Sequence, residues 1–480
     1  MLQANAFAAF RFHVQEEPLS LDPVHAHTTI PSYVVNVLYA PLMVYQAGKL
    51  QAWGARSCRY LDDRHVECHL RRDWRWSDGK TVSAADIVLA VQDIFAEKSA
   101  RTEPLLILEN AREVLAKKQP VSELGVKAIS NTTVQFYLSE PDSEFMYKLI
   151  DPAISPRRRD VSKDGHITAG PYIFEKRIPG RSLSFHTNAK FFIKAERPDI
   201  EVLVVDSDDT ALSLYQKGAM NFHRRVPPEA GELLKKQKGF FAQPLYRFDY
   251  IGFGAALEYQ PELRSRMVHG LQKQFDELPK LFPTNGPGGC FGLPVPIVPH
   301  RMCLDKRAVV AFSPQELDKL PPLSITVATQ GGDSVIRQAE HFQQGWLKSL
   351  NVNVEIRTQE LKALEAQLRT DPPPLFRRGI NLERPTCLAA LELFQSNSPN
   401  NFIHYKDVKF DELITQMRRS RDEKAKAKLC DLASQMLLKS NRMIPLGEPR
   451  FFMVNDQKFD GFSINSLNQI DVSRLRSSRH

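Results

Sequence analysis

The sequence predicts a mixed α/β protein with more than one folding unit, and three observations support this. Alternating apolar residues at 323–327 and at 352–356 flank a helical pattern that begins at Asp333. A second pattern, from Trp53 to Leu70, is typical of a β-hairpin. The chain has 480 residues, which exceeds one ordinary core and indicates about two to four units.

The segment from 323 to 356 is the clearest unit. After Gly331-Gly332, apolar residues recur on one helical face at Ile336, Ala339, Phe342 and Leu347. A strand, a helix and a strand at this spacing form a crossover connection. We therefore expect a parallel strand pair with a right-handed connection.

Other elements agree with an α/β fold. Ser83-Ala84-Ala85-Asp86 is a variant of the capping box and predicts a helix that starts there. Residues 167–205 have the pattern of strands separated by turns. A helix is expected from Asp208 or Asp209 until Gly218, and another helical stretch from Asp411 to Leu438.

The composition is that of a globular protein, with 42% apolar and 25% charged residues. The net charge of +8 comes from 64 basic and 56 acidic residues. The basic residues are scattered, so binding to nucleic acid is not indicated. The run Arg157, Arg158 and Arg159 is predicted to be a solvated loop without a role.

Two features of the sequence bear on where the protein is located: the lack of a predicted membrane span and an unusual N-terminal segment. No apolar run approaches the about 18 residues that a membrane helix requires. Residues 1–8 contain overlapping small-x-small sites of the type that signal peptidase cleaves. We expect them to be the remnant of a signal peptide, with a mature chain from near Ala9; an ordinary cytosolic N-terminus is the alternative.

The six cysteines fit an oxidising compartment. Cys58 and Cys68 flank the predicted hairpin turn and would lie opposite each other, so a disulfide between them is expected. A second disulfide, Cys290 with Cys303, would close a proline-rich loop and leave Cys387 and Cys430 as the third pair. Only the first pair has direct support, because six cysteines allow many connectivities.

No catalytic signature is present. The sequence has no Gly-x-Ser-x-Gly, no His-Glu-x-x-His and no dinucleotide fingerprint after a strand. Gly79-Lys80-Thr81 resembles the end of a phosphate loop, but Trp74 stands where its first glycine is required. His25-x-His27 and the pair His65 and His69 have no evident carboxylate or Cys beside them. We therefore predict no enzyme, no catalytic residues, no metal and no cofactor.

Several motifs occur in an order that resembles a known family. They are Pro18-Leu19-Ser20-Leu21-Asp22-Pro23, Leu70-Arg71, Trp74-Arg75-Trp76-Ser77-Asp78-Gly79-Lys80, Ser83-Ala84-Ala85-Asp86-Ile87-Val88, Ala169-Gly170-Pro171-Tyr172, Asn400-Asn401 to Asp411, and Ile444-Pro445-Leu446. This order is similar to that of the extracellular solute-binding proteins, family 5, which serve peptide and nickel ABC importers. The resemblance extends over almost the whole chain.

The resemblance implies a two-lobed, periplasmic-binding-protein type II-like fold with mixed sheets and a two-segment hinge. Lobe I would comprise residues 9–250 with 446–480, including a hairpin-rich subdomain at about 45–160. Lobe II would comprise residues 251–445. The two hinge crossings would lie near Tyr246 to Phe253 and Ile444 to Phe452.

The function implied is the substrate-binding component of an ABC-type importer. Such a protein, located in the periplasm, would capture a peptide or a similar small solute in the cleft between its two lobes and present it to a membrane permease. We expect a monomer that has no nucleic-acid partner. The alternative is a ligand-sensing protein of the same fold that signals to a partner without transport.

The resemblance also suggests ligand-binding residues. The acidic residue that holds a peptide's ammonium corresponds to Glu383, in Ile380-Asn381-Leu382-Glu383, and Asn381 lies beside it. An exposed surface glutamate is the alternative. Arg377, with Arg378 and Arg384, could instead grip a carboxylate or phosphate.

Three further candidates come from other segments. Gly252 and Phe253 lie in the first predicted crossing, where the family has an asparagine that this chain replaces with Gly252 or Gly254. Trp74 and Trp76 alternate along a strand, so one of them would pack inward and the other, taken here as Trp76, would line the ligand site. Core packing is the alternative for each ring.

Overall fold

The structure is a computed structural model that describes residues 9–26, 29–161, 164–274, 284–285, 308–329 and 333–478. The chain forms two compact units. Unit 1 contains Met1–Gln243 and Phe452–His480, and unit 2 contains Pro244–Phe451. The chain therefore passes twice between the units. The predicted signal-peptide remnant and the predicted pair Cys290 and Cys303 lie outside the described residues.

The described residues form two groups of strands, one before and one after residue 245. Those before residue 245 are β1 (Phe10–Val14), β2 (Met43–Gln46), β3 (Lys49–Ala52), β4 (Ala55–Tyr60), β5 (His65–Leu70), β6 (Val126–Ser130), β7 (Thr133–Tyr137), β8 (Tyr172–Ile178), β9 (Ser182–Thr187), β10 (Ile200–Val204), β11 (Phe222–Val226) and β12 (Phe240–Pro244). Those that follow are β13 (Arg247–Phe253), β14 (Thr284–Asn285), β15 (Ser324–Ala328), β16 (Glu355–Gln359), β17 (Leu375–Asn381), β18 (Met443–Pro445), β19 (Glu448–Asn455), β20 (Phe459–Asp460), β21 (Ser463–Ile464), β22 (Ile470–Asp471) and β23 (Arg476–Ser477).

The α-helices of the described residues are α1 (Thr29–Leu38), α2 (Ala84–Ala96), α3 (Ala111–Leu115), α4 (Phe145–Lys148), α5 (Asp208–Gln216), α6 (Pro228–Leu234), α7 (Pro261–Gly270), α8 (Pro314–Leu317), α9 (Asp333–Leu350), α10 (Leu361–Thr370), α11 (Cys387–Leu391), α12 (Val408–Arg419) and α13 (Glu423–Lys439). Short 3₁₀ helices are Ala100–Leu105, Val121–Glu123, Pro152–Ile154, Ala255–Leu257 and Glu392–Phe394. No helix of the described residues is both long and apolar enough to cross a membrane.

The main sheet of unit 1 has the strand order β12-β19-β11-β1-β10-β9-β8. β1 pairs in parallel with β10 and β11, whereas β9 pairs antiparallel with its neighbours. Alternate residues of β1, such as Phe10 and Phe12, are buried in the apolar core because successive side chains point to opposite faces. The neighbouring position, His13, is also buried, and its Nε2 lies 2.9 Å from Nδ1 of buried His223 on β11.

A second, four-stranded sheet of unit 1 has the order β4-β5-β7-β6. Cys58 lies directly opposite Cys68 in the β4 and β5 hairpin, and the two form a disulfide with a Cα–Cα distance of 4.1 Å. The predicted pair is confirmed. Helix α2 packs on this subdomain and begins with the predicted capping box, in which Asp86 Oδ2 accepts a 2.8 Å hydrogen bond from Ser83 N.

The prediction for Arg157 is wrong. Its side chain is 8% exposed, and its Nη1 and Nη2 donate to the two oxygens of Asp22 at 2.7 and 2.9 Å. Its Nε also lies 3.0 Å from Asp93 Oδ2 on α2. Arg157 therefore joins the opening segment of the chain to the subdomain, because carboxylates far away in sequence approach it from two sides.

The sheet of unit 2 has the order β16-β15-β17-β13-β18. β15 and β16 are parallel and connected through α9, so the predicted crossover unit is confirmed. The second strand begins at Glu355 rather than at Val352, and the two buried valines of the predicted pattern lie just before it. The stretch predicted as helical from Asp411 is two helices, α12 and α13.

Helices α11 and α13 are joined by a disulfide between Cys387 and Cys430, whose Cα–Cα distance is 6.1 Å. This confirms the pair that remained after the other cysteines had been assigned.

The apolar residues of the two faces of β13 enter different cores. Ile251 and Phe253 pack with α7 and α9, whereas Phe248 and Tyr250 pack with α11, α12 and α13.

The unit boundaries lie at 243/244 and 451/452, against 250/251 and 445/446 in the sequence prediction. β13 explains the first difference. It pairs with β17 from Arg247 to Phe253 and with β18 at Tyr250 to Gly252. The whole strand is therefore part of unit 2, and the chain enters that unit before β13 begins.

Candidate functional site

The candidate site in unit 2 is built on the second half of β17, from Arg377 to Asn381. On one side these residues pair with β13 in an antiparallel ladder. On the other side β15 pairs in parallel with only Leu375 and Phe376. Among the described residues no strand pairs with the second half of β17 on that side. We call this part of the strand the β17 edge.

A polar cluster lies on one face of β17 and β13. Asp249 stands opposite Gly379 in the ladder, and Arg247 stands opposite Asn381. Asp249 Oδ1 accepts a 2.6 Å hydrogen bond from Arg247 Nε. Its other oxygen accepts a 3.0 Å hydrogen bond from Arg377 Nη2. One carboxylate thus orients two guanidinium groups.

Gln338 on α9 completes the cluster, because its Oε1 accepts a 2.8 Å hydrogen bond from Arg377 Nε. Gly379 is required by this packing. A Cβ at that position would lie 2.0 Å from Arg247 Nη2 and 2.2 Å from Asp249 Oδ1. The absence of a side chain therefore lets the Arg247 and Asp249 pair lie directly over the strand.

The electrostatics keep the cluster ionised. Burial acts to raise the pKa of Asp249, but the charges of Arg247 and Arg377 hold that pKa below its ordinary value. Burial in turn lowers the pKa of Arg377, and Asp249 opposes this effect. Two cations share one anion, so the cluster carries a net positive charge that suits an anionic ligand group.

Asn381 and Glu383 lie where β17 ends. Arg247 Nη1 donates a 3.2 Å hydrogen bond to Asn381 Oδ1, so Asn381 is part of the polar cluster. Leu382 is buried, and its N–H continues the ladder through a 2.9 Å hydrogen bond to Tyr246 O. Glu383 is exposed immediately after it. The structure therefore brings Arg377, Asn381 and Glu383 onto one short segment.

Gly252 and Phe253 lie on β13, inside unit 2. Phe253 is 2% exposed and is part of the core between the sheet, α7 and α9. Gly252 is buried, and an added Cβ would lie 2.2 Å from the ring of Phe376. Both residues therefore belong to the strand that carries the polar cluster. The side chain of Phe253, and a Cβ placed at Gly252, face packed neighbours.

Trp76 belongs to unit 1, and its side chain is 2% exposed. Its Nε1 donates to Asp86 Oδ2 at 3.4 Å, and the guanidinium of Arg158 lies 5.1 Å from the ring centroid. Trp74 is buried as well and donates a 2.9 Å hydrogen bond to Ala169 O. Both rings pack within the unit, which is the alternative considered for them.

The two other arginines near the site have separate partners. Arg378 points to the opposite face of β17 from Arg377, and its Nη2 lies 2.5 Å from Glu365 Oε1 on α10. Arg384 is buried and pairs with Glu392. Only Arg377 of the three therefore belongs to the polar cluster.

Asp249, Arg247 and Gln338 are residues of the cluster that the sequence did not reveal as site residues. Asp249 and its partner Arg377 are 128 positions apart. Their proximity depends on the register of two strands, which no local pattern encodes. The one available signal was a pair of charged residues, Arg247 and Asp249, in a strand whose other residues are uncharged.

A group of metal-ligand type occurs in unit 1. Ligand atoms of Asp22, His25 and Glu97 all lie within 4.8 Å of one another, so the expectation that no carboxylate accompanies His25 is wrong. The guanidinium of Arg157 contacts both carboxylates, at 2.7 Å and 3.6 Å. A cation already compensates this charge, and a metal ion would have to displace it.

The model for "bacterial extracellular solute-binding proteins, family 5 Middle" matches residues 50–265. The periplasmic oligopeptide-binding protein of Escherichia coli is 25% identical over 467 aligned residues, which cover 90% of this chain and 85% of that protein. The chain is therefore similar to the extracellular solute-binding proteins of family 5, and the predicted resemblance is confirmed.

Solved structures agree on the fold. An oligopeptide-binding protein of Burkholderia pseudomallei superposes with a TM-score of 0.79 at 21% identity, covering 98% of this chain and 99% of that one. The Haemophilus influenzae protein in complex with RPPGFSPFR gives 0.75 at 20% identity, with 98% of each chain covered. The predicted periplasmic-binding-protein fold is confirmed, and so is the periplasmic location. The family consists of binding proteins and not of enzymes.

Proposed function

We propose that this protein is the substrate-binding component of an ABC-type importer and that it captures a peptide or a similar small solute in the periplasm. The observation that carries the proposal is the β17 edge. Its backbone groups are paired by β13 on one side only, within the described residues. An extended peptide can add to such an edge through main-chain hydrogen bonds.

The side chains around the edge suit the two ends of a peptide. The exposed carboxylate of Glu383, where β17 ends, is the proposed partner of the ligand's ammonium group. The guanidinium of Arg377, already oriented by Asp249 and Gln338, is the proposed partner of a ligand carboxylate. A charge-assisted hydrogen bond of this kind is stronger than a neutral one.

The proposed role is binding without chemistry. Asp249 is the buried acid of the cluster, and it is held ionised by two arginines, so it is a poor proton donor or acceptor. The proposed partner is a membrane permease, and the proposed state of the protein is a monomer. Binding then acts by favouring one arrangement of the protein that the permease recognises.

The first experiment identifies the ligand. The protein is purified from its own envelope fraction, and native mass spectrometry followed by denaturing release shows what it carries. Mixed peptides support the proposal. A single species that is not a peptide would keep the solute-binding role and replace the ligand, whereas binding without uptake by permease-containing cells would favour a sensor.

The second experiment tests Glu383. Ligand-free protein is titrated calorimetrically with trialanine and with N-acetyl-trialanine. Glu383→Gln should weaken trialanine binding by about 10- to 100-fold, as expected for a lost charge-assisted hydrogen bond, and should leave the acetylated peptide unchanged. Glu412→Gln, an exposed change on α12, is the matched control. Equal losses for both peptides would contradict the assigned role.

A further inference from the structure

A separate pocket lies in unit 1, where the C-terminal ends of α2 and α3 converge. Its volume is about 400 Å³, which falls within the range of small-molecule sites, about 300 to 1,000 Å³. The apolar part of the lining is formed by Phe95, Val114, Leu115 and Val121. The residues assigned to the β17 edge are all in unit 2, so this pocket is not part of that site.

The charged part of the lining is entirely basic. It consists of Lys98, Lys117 and Lys118, and no aspartate or glutamate lines the pocket. All three lysines are exposed, and none makes an ion pair with any described residue. Glu97, the acid next to Lys98, directs its carboxylate to His25 and Arg157 instead. The pocket therefore presents uncompensated positive charge.

Two of these lysines occupy backbone positions that usually belong to glycine. Lys98 and Lys117 each stand two residues after the last residue of a helix, with φ angles of 49° and 59°. Their N–H groups donate to Phe95 O at 3.1 Å and Val114 O at 3.0 Å. A residue with a side chain is strained in this left-handed conformation.

The helix ends alone do not explain the arrangement. A lysine near a helix C-terminus interacts favourably with the helix dipole, and this accounts for a positive charge at each end. It does not account for a pocket between the two ends that is lined in part by apolar side chains, or for a third lysine at its margin. An anionic ligand with an apolar body satisfies all three features.

We propose that this pocket is a second binding site, which takes a small amphipathic carboxylate. The apolar body would lie against Phe95, Val114 and Leu115, and the carboxylate would lie among the three lysines. The occupant is a small molecule because the volume of the pocket, about 400 Å³, is that of one small ligand. This inference is independent of the ligand bound in unit 2.

The test uses the full-length protein and decanoate, below its micellar range, in isothermal titration calorimetry at low and at moderate salt. Decan-1-ol, which has the same chain without the charge, is the matched ligand. We expect decanoate to bind at least tenfold more tightly than decan-1-ol. Salt should weaken the binding of decanoate but not that of decan-1-ol, because exposed charges are screened.

Two variants locate the site. Lys98→Gln/Lys117→Gln/Lys118→Gln should weaken decanoate binding at least tenfold and leave decan-1-ol unchanged. Ala96→Trp, an exposed position that lines the pocket, should abolish the binding of both ligands by filling the cavity. The charge-matched control replaces exposed lysines elsewhere in unit 1, at Lys49, Lys176 and Lys190.

Several results of these titrations would contradict the proposed second binding site. Equal affinity for decanoate and decan-1-ol, or decanoate binding that survives both the triple variant and Ala96→Trp, would overturn the proposal. Equal losses in the triple variant and the charge-matched control would overturn it as well, because the effect would then be one of net charge. Capture of an acidic protein segment by the same lysines, without decanoate binding, would also reject the small-molecule ligand.

Discussion

The buried histidine pair of unit 1 should make that unit sensitive to mild acid. His13 on β1 and His223 on β11 are within hydrogen-bonding distance of each other, and both are buried. Burial, with the charge of Arg224, lowers the pKa of His13 from 6.5 to about 4. Burial and the neighbouring His13 lower the pKa of His223 from 6.5 to about 3. Both rings are therefore neutral in the folded protein at pH 5.

The sign and the size of the effect follow from proton linkage. Below pH 6.5 the unfolded chain binds protons at these two positions and the folded chain does not, so stability falls as the pH falls. At pH 5 each histidine costs about 2 kcal/mol relative to pH 8. Together they should lower the free energy of unfolding of unit 1 by about 4 kcal/mol.

Urea unfolding at pH 8 and at pH 5, followed by tryptophan fluorescence, measures this difference. Trp53, Trp74 and Trp76 lie in unit 1 and Trp346 lies in unit 2, so the fluorescence is dominated by the unit of interest. His13→Gln/His223→Gln removes both titrating groups and keeps hydrogen-bonding side chains. The difference between the two pH values should shrink by most of the 4 kcal/mol. An unchanged difference in this variant would refute the reasoning, whatever its absolute stability.

Three further results are expected from the same measurements and from ligand binding. Arg157→Ala should destabilise unit 1 by about 3 to 5 kcal/mol, because it leaves buried carboxylates without their partner. The control, Arg56→Ala at an exposed position, should change stability by less than about 0.5 kcal/mol. Similar losses in the two variants would exclude the ion-pair explanation. Cys387→Ser/Cys430→Ser removes a disulfide that links residues 43 positions apart. From the chain entropy of a loop of this length, the variant should destabilise unit 2 by about 4 kcal/mol. A loss below about 1 kcal/mol would contradict this expectation. Gly379→Ala should weaken trialanine binding about tenfold, because the added Cβ would displace Arg247 and Asp249 and Asp249 orients Arg377. The overpacking should cost about 1 to 3 kcal/mol of stability. Unaltered binding in calorimetry would separate the polar cluster from the ligand.

Sequence patterns were sufficient to predict the structural elements that depend on residues close together in the chain. The capping box at Ser83 and Asp86, and the crossover from β15 through α9 to β16, depend on residues close in sequence, and periodicity shows them directly. The Cys58 and Cys68 pair was accessible for the same reason, since a hairpin brings its two strands into register by itself. The family resemblance then supplied the arrangement of the whole chain.

Contacts between distant segments could not be predicted in this way. Arg157 meets Asp22 across 135 positions, and His13 meets His223 across 210. Each contact requires a particular strand register or loop path, and the same residue types at the surface would give an identical local pattern. The polar cluster around Asp249 was missed for this reason, although its members Arg377 and Asn381 were selected.

The position of β19 in unit 1 has a consequence for the order of folding. β19 lies between β12 and β11 in the main sheet, yet almost the whole of unit 2 separates it from them in sequence, and only its residues from Phe452 onward belong to unit 1. During secretion from the N-terminus, β1 and β8 to β12 emerge first, and the strand that joins β12 to β11 arrives only after unit 2. Until then β11 exposes an unpaired edge, which is a site for wrong pairing. Unit 1 therefore begins to form first and is completed last, and a chaperone that binds the exported chain would find its target at this edge.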